Sequence, residues 1–369
     1  MKVIINILKK QPVLSVATIA MLITCFFVPP DKEYPGYFDL KTLACLFCTL
    51  EVVCGFARIH TFEILAEKIV DSLSNLRNVI TGIVFITYIG SMVLANDMAL
   101  LTFLPLGYFA LEKMDKKKYM AYTFVLQNIA ANLGGMITPF GNPQNLYLYS
   151  YFNIDTYEFL GIMFLPFMVS LLMIIIACFA IPNEQVKLKN QGDYRFHGTK
   201  TAIYGILFII SIFAVLRILP YEICTVIVTV AMLLADRRAL KDVNYGLLAT
   251  FAVFFVFSGN MARIPAVREL FAMLLPGREL LFGVTSCQFI SNVPSAVMLS
   301  HFTTDYANLL VAVNIGGLGT PIASLASLIT LSEYKNRQKN GMKKYMLVFE
   351  GINFSFLIVL FLVQTLLPL

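Results

Sequence analysis

The chain has 369 residues, 58% of them hydrophobic and 14% charged, with a formal net charge of +6. A soluble chain of this size carries about a quarter charged residues. The composition excludes an ordinary soluble enzyme and indicates a polytopic membrane protein; its partner is the lipid bilayer, with no nucleic acid.

The first apolar run, roughly 12–29, follows Lys2, Lys9 and Lys10 and ends at Pro29-Pro30. It lacks a small-residue cleavage pattern, so it reads as a retained span rather than a secretory leader. A second span, roughly 37–57, carries Glu51 and the pair Cys45-x-x-Cys48. The pair reads as two small apolar residues on one helix face rather than a metal or redox motif. Phe56–Ile69, FARIHTFEILAEKI, reads as an amphipathic helix lying at the interface. The next apolar region, roughly 78–111, is too long for one crossing and is interrupted by ANDM at Ala95–Met98. A re-entrant hairpin fits it, since a polar tip is tolerated where protein or water satisfies its backbone.

A span at roughly 119–140 runs into NLGGMITPFGNPQNL, Asn132–Leu146, which breaks it; the broken helix extends to about 152. Spans follow at roughly 156–181, 200–218, 220–235 and 244–260. Met261–Leu274, MARIPAVRELFAML, reads as a second interfacial helix. The region 278–301 is interrupted by SNVPS at Ser291–Ser295 and reads as a second hairpin. The span at roughly 303–320 carries NIGGLGTPIASLASL, Asn314–Leu328, a second broken helix reaching about 331. The last span covers roughly 344–367.

The expected fold is therefore all-α, with about nine transmembrane helices, two re-entrant hairpins and two broken helices. With the N-terminus in the cytoplasm and the C-terminus outside, 22 of the 28 lysines and arginines fall on the inner face. Only Lys32, Lys41, Arg217, Arg263, Arg268 and Arg278 lie outside. Counting either hairpin as a crossing would put later basic loops on the wrong side.

The motif N-x-G-G-x-x-T-P occurs twice, from Asn132 and from Asn314. In each half it follows an interfacial helix and a hairpin with an asparagine at its tip, Asn96 or Asn292. Residues 1–181 and 220–369 are read as two inverted copies of one unit, joined by a cytoplasmic loop and linking helix at 182–219. Inverted repeats with matching broken helices mark secondary transporters, with the site near the midplane. Gly134-Gly135 and Gly316-Gly317 let the backbone leave helical geometry or pack closely. Pro139 and Pro321 stop the helix. Asn142-Pro143 and Thr320-Pro321 both read as an N-cap followed by proline at the restart. Unwound carbonyls can hold a cation, and the restarted N-termini point at an anion.

LANDMALLTFLPL, GGMITPFGNPQNL, FISNVPSAVML and VNIGGLGTPIASL together resemble the citrate-transporter-like branch of the ion transporter superfamily, over nearly the whole chain. That branch includes divalent anion/sodium symporters and arsenite efflux pumps. The resemblance implies one substrate held between two hairpins and two broken helices, an elevator-like movement and a dimeric scaffold, hence a homodimer in the inner (plasma) membrane. Carried over, the substrate residues are Asn96, Thr138, Asn142, Gln144, Asn145, Ser291, Asn292, Ser295, Thr320 and Ser324. The Na+ or H+ coupling residues are Asp97, Asn96, Asn132, Gly135, Gly141, Asn292, Asn314 and Gly317. The symporters carry Ser-Asn-Thr at both tips, whereas here the tips are Ala95-Asn96-Asp97 and Ser291-Asn292-Val293. The chain also looks to lack the symporters' first two helices.

Asp97 has three open roles: carrying a proton, coordinating sodium or capping the second hairpin arm. Glu51 reads as paired within the scaffold, with a second proton site as the alternative. Glu350 and the three histidines, His60, His197 and His301, read as surface or interface groups. No phosphate-binding loop, dinucleotide fingerprint or nucleophile–base pair occurs in the spans, so neither ATP drive nor an enzyme is expected, and no cofactor beyond the coupling ion. The expected substrate is a small anion, a di- or tricarboxylate or an inorganic oxyanion; metalloid efflux or Na+/H+ exchange is the alternative.

Overall fold

The computed structural model describes residues 12–61, 64, 73, 75–185, 197–338 and 341–367. Among them are seventeen α-helices and no strand. In chain order, α1 (Pro12–Phe27) and α2 (Leu40–Arg58) precede the pair α3 (Leu76–Ser91) and α4 (Asn96–Lys113). Then come α5 (Met120–Gly134), the short α6 (Pro143–Tyr151) and α7 (Thr156–Phe179). α8 (Gly198–Val215) and α9 (Tyr221–Ala235) lead through α10 (Ala239–Asp242) to α11 (Tyr245–Arg263) and α12 (Pro265–Leu274). The pair α13 (Glu279–Ile290) and α14 (Asn292–Leu299) is followed by α15 (Tyr306–Ile315), α16 (Leu325–Arg337) and α17 (Met342–Leu366).

Five of these, α2, α7, α8, α11 and α17, are each long and apolar enough to cross a bilayer. Their outward residues, such as Phe164, Leu172 and Ile176 of α7, are exposed apolar surface suited to lipid. α1 and α9 have 16 and 15 residues, which at about 1.5 Å per residue falls short of a ~30 Å hydrocarbon core. The expected spans at 119–140 and 303–320 are not continuous helices: α5 stops at Gly134 and α15 at Ile315.

Local chemistry fixes the helix starts. Asp39, Asp155 and Asp305 accept hydrogen bonds from amides in the first turns of α2, α7 and α15. Pro143 occupies the first position of α6, as expected. The restart of the second broken helix is later than the sequence suggests. Ser324, not Thr320, is the N-cap of α16, and its side chain accepts from the Ser327 amide. Thr320-Pro321 lie in the loop before it. A Thr-Pro pair can open a helix, but Thr320 here spends its hydroxyl on the Gln288 carbonyl.

The interfacial stretch at 261–274 divides: residues 261–263 complete α11, and α12 follows with no buried residue. The matching stretch Phe56–Ile69 begins inside α2, and most of the remainder lies outside the described residues.

Loop contacts fall into two sets by the face that charge placement assigns to their segments. In the first, Arg58 pairs with Asp236 and Asp242, Lys116 pairs with Glu184, and Asn75 bonds Asn183. The hydrogen bond between Lys116 and Glu184, helped by their opposite charges, holds the ammonium above, and the carboxyl below, their ordinary values. In the second, Arg263 pairs with Asp31 and Glu33, Tyr306 bonds Glu158 at 2.6 Å, and Arg217 donates to the carbonyls of Tyr149 and Ile154. Each contact joins segments that charge placement assigns to one face. Both ends of the α3–α4 pair fall in the first group, and the far ends of the α13–α14 pair fall with the second.

Candidate functional site

Each hairpin is anchored twice. Its first arm packs on the helix leading into a break, α3 on α5 and α13 on α15. Its second arm packs on the restarted helix of the other half, α4 on α16 and α14 on α6. The two tips use the same local device. Asn96 Oδ1 accepts from the Asp97 amide at 2.9 Å, and Asn292 Oδ1 accepts from the Val293 amide at 2.9 Å. In the second tip the turn is made by Ser291 at φ 75° and ψ 159°, a conformation essentially confined to glycine.

Each tip is tied to a break. Thr138 donates its hydroxyl proton to the Met92 carbonyl at 2.8 Å, and Asn96 Nδ2 donates to Asn132 Oδ1 at 3.2 Å. The Asn292 amide donates to the Ala323 carbonyl at 2.9 Å, with the Ser291 hydroxyl on the same oxygen.

The unwound carbonyls, which would otherwise be unsatisfied at bilayer depth, are gathered by one amide per break. Asn145 Nδ2 donates toward the carbonyls of Gly135, Met136 and Thr138. Gln288 Nε2 donates to the carbonyls of Gly316 and Leu318, both at 3.0 Å, while its Oε1 accepts from the Thr320 amide.

The two breaks touch. Asn314 Oδ1 accepts from Asn142 Nδ2 at 3.0 Å and Gln144 Nε2 at 3.3 Å, and Asn314 Nδ2 donates to Asn145 Oδ1 at 2.6 Å. Asn142 Nδ2 also donates to the Asn132 carbonyl. Asn142 thus occupies the expected cap position but spends its amide on the partner break, with no side-chain cap bond. Gly317 sits among these groups: a methyl there would lie 3.0 Å from Asn292 Nδ2 and 3.5 Å from Asn132 Oδ1. Gly135 and Gly141 are packed face to face, so neither has room for a side chain.

Of the residues singled out from sequence, Asn96, Asn132, Asn142, Gln144, Asn145, Asn292, Asn314 and Gly317 converge on this centre. Thr138, Thr320, Ser291 and Ser324 are committed to backbone or capping bonds around it. Ser295 is buried in α14 with its hydroxyl unpartnered, as are Asn142 Oδ1 and Gln144 Oε1. Unpaired buried oxygens cost about 1–3 kcal/mol each.

Asp97 does not join the amide network. Its Oδ1 accepts from the Met98 amide and its Oδ2 has no partner, while the next residue, Met98, lines a cavity together with Cys54 of α2. Glu51 lies fully buried in α2, and its Oε1 accepts from the Thr229 hydroxyl at 3.0 Å. Glu350 is exposed, as expected of a surface group. All seven cysteines are free thiols, and no group of three ligands placed to hold a metal occurs among the described residues.

Two contributors escape the sequence reading. Gln288 is the one amide side chain of α13. Asn128, one turn before Asn132, reaches Ser327 Oγ at 3.3 Å and Asn353 Oδ1 at 3.5 Å, binding α5 to α16 and α17. Its only signal is the four-residue spacing from Asn132, which puts both on one helix face. Among the described residues the buried charged side chains are Glu51, Asp97 and Glu279, and none is basic.

Comparison with known proteins gives this arrangement a family. The chain is 28% identical to an uncharacterized transporter of Methanocaldococcus jannaschii over 301 residues, covering 79% of this chain and 80% of that protein. It is 27% identical to the inner membrane protein YbiR of Escherichia coli over 323 residues, 85% of each. A family model described as citrate transporter matches residues 3–310, ending before the second break. That match spans most of the sequence, and the chain belongs to the citrate transporter family, multi-pass membrane proteins that act as secondary transporters rather than enzymes.

Proposed function

We propose that the chain carries a small anion, a di- or tricarboxylate or an inorganic oxyanion, across the membrane in exchange for or together with Na+ or H+. The observation that carries this reading is Asn314. One side chain from the second break bonds Asn142, Gln144 and Asn145 of the first, making a single polar centre from both halves. Residues 1–181 and 220–369 act as inverted copies joined by 182–219. The loop contacts support that reading in so far as each one joins segments that charge placement assigns to the same face.

The centre has a stated chemistry. The N-termini of α4, α6, α14 and α16 all begin at the tips or breaks, and each presents amides and about half a positive charge. Amides and hydroxyls surround them, with no buried basic side chain among the described residues. An anion in such a site lacks a fixed counter-charge, so a co-bound cation supplies it; a buried unpaired charge is otherwise costly. Substrate is held by Asn142, Gln144, Asn145 and Ser295 with the tips Asn96 and Ser291-Asn292, ringed by Thr138, Thr320 and Ser324. The cation uses Asn96, Asn132, Asn292 and Asn314 beside Gly135, Gly141 and Gly317, with Asp97 as the ionisable member.

Movement of this unit against a dimeric scaffold gives alternating access. The N-terminus faces the cytoplasm and the C-terminus the outside of the inner membrane, the location printed in the YbiR name. Tip one has no hydroxyl beside Asn96, which favours metalloid oxyanion efflux or Na+/H+ exchange as the second reading.

Reconstitution in proteoliposomes with imposed Na+ or H+ gradients tests this. Uphill accumulation of a carboxylate or oxyanion under one gradient is expected. Ion exchange without any anion flux would replace the proposal with the exchanger reading, and downhill flux alone would make the protein a channel.

A further inference from the structure

A second feature lies apart from the amide centre, between α1, α11 and α12. It is a cleft of about 350 Å3 whose lining includes Ala20, Thr24 and Phe27 of α1, Met261 of α11, and Ile264 and Val267 at the start of α12. Thr24 is its one polar lining residue. The Thr24 hydroxyl donates to the Met21 carbonyl at 2.7 Å and accepts from Asn260 Nδ2 at 3.1 Å, so the walls offer no free polar side chain. The cleft is open along Ile23 and Phe27, which are 54% and 71% exposed. With Ile19, Leu22 and Phe26 they form an apolar surface of α1 suited to lipid.

α11 packs along α1, and α12 continues from α11 without burying any residue. Ile264, Val267 and Phe271 recur at three- and four-residue spacing, on one face of α12. Phe271 is covered by protein: it stacks on Phe302 with ring centroids 4.6 Å apart. Ile264 and Val267 face the cleft instead, and apolar side chains left against a void lose their dispersion contacts. In the proposed topology α1 and α11 both run outward, and charged groups begin where the cleft ends. Arg263 pairs with Asp31 at 2.6 Å and with Glu33 at 3.4 Å, and donates to the Tyr37 hydroxyl at 2.8 Å. Asp31, Lys32, Glu33 and Arg263 sum to zero charge, so this rim selects no headgroup charge. An apolar slot beneath a neutral polar rim matches the division of a phospholipid into acyl chain and headgroup.

We propose that this cleft is a lipid site, holding one acyl chain of an outer-leaflet phospholipid as the cover of the apolar face of α12. The chain lies against Ala20, Phe27, Ile264 and Val267, and the headgroup sits at the level of Arg263. α12 joins α11 to α13, the first arm of the second hairpin, so the lipid braces the segment that leads toward the tip at Ser291-Asn292. The site is separate from the amide centre and independent of which solute is carried.

The chain contains no tryptophan, so a single introduced indole reports its own surroundings. Two full-length variants are compared: Phe27→Trp, at the cleft, and Phe26→Trp, at a neighbouring position that is 86% exposed and absent from the cleft lining. Each is titrated in detergent micelles with a phosphatidylcholine brominated on its acyl chains, which quenches indole fluorescence on contact. The Phe27→Trp signal is expected to fall saturably and level off at one lipid per chain. The Phe26→Trp signal is expected to fall only in proportion to the bromolipid content of the micelle. Adding Ala20→Phe to the Phe27→Trp variant fills the cleft from α1 and should bring its signal to the proportional behaviour; the comparison of the two tryptophan variants stands without it. Proportional quenching in both variants, or saturable quenching that survives Ala20→Phe, would overturn the proposal. Disulfide cross-linking in membranes between two copies of a variant whose only cysteine is Phe27→Cys would overturn it too, giving the cleft to a second copy of the chain.

Discussion

Asn314 and Asn145 lie 169 residues apart in the chain, yet Asn314 Nδ2 donates to Asn145 Oδ1 at 2.6 Å with both side chains buried. The bond joins two interrupted helices that local sequence could only describe one at a time. The same Asn145 ties down the carbonyls of its own break, so loosening either partner disturbs both.

Asn314→Ala therefore leaves buried amides of Asn142, Gln144 and Asn145 short of a partner. The expected cost is about 1–3 kcal/mol of stability per unsatisfied group and a loss of uptake of at least roughly tenfold, since about 1.4 kcal/mol already corresponds to that factor. Thermal unfolding in detergent and flux in proteoliposomes read the two effects. Wild-type flux in a folded variant would remove Asn314 from the site.

Gly317→Ala puts a methyl 3.0 Å from Asn292 Nδ2, inside the centre itself. The expectation is lost or strongly altered cation dependence of transport with a small change in melting temperature. Gly161→Ala serves as control, because nothing lies within 4 Å of a methyl there. Equal behaviour of the two variants would show that the space beside Gly317 is not used.

Asp97→Asn keeps the shape and an oxygen for the Met98 amide while removing the charge. Transport that continues down the anion gradient but no longer responds to Na+ or pH is the expected phenotype. Full coupling in this variant, measured as uphill accumulation, would assign the cation to the asparagines alone.

Single cysteines at Lys117→Cys and Thr304→Cys should label from opposite faces of the membrane. The loop contacts divide these positions between two groups, 117 beside Lys116–Glu184 and 304 beside Tyr306–Glu158. Labelling of both from one face by an impermeant thiol reagent would contradict the inverted arrangement.

Much of this was legible in the sequence because breaking a membrane helix demands conspicuous residues. Gly134-Gly135, Pro139, Asn142 and their counterparts have few uses at bilayer depth other than an interruption. The polar tips at Asn96 and Asn292 stand out for the same reason. The later restart at Ser324 was not legible, because Thr320-Pro321 carries the same local signal as a cap, and only the tertiary bond to Gln288 diverts it. Gln288 itself gives no pattern: one amide in an apolar arm reads as incidental until the carbonyls it gathers are seen. Asp97 was conspicuous as an acid, but that its carboxylate turns to the Met98 amide rather than to the asparagines of the breaks is visible only in the tertiary structure.

The lack of any buried basic side chain among the described residues bears on how membrane voltage would act on transport. An unloaded centre contributes no fixed positive charge and at most the single negative charge of Asp97. One elementary charge moved through 100 mV is worth about 2.3 kcal/mol, so the empty return step is weakly driven. For the proposed cargo of anion and cation, the electrical signature of a cycle then belongs to that cargo, and the sign of the current shows whether the cations carry more charge than the anion.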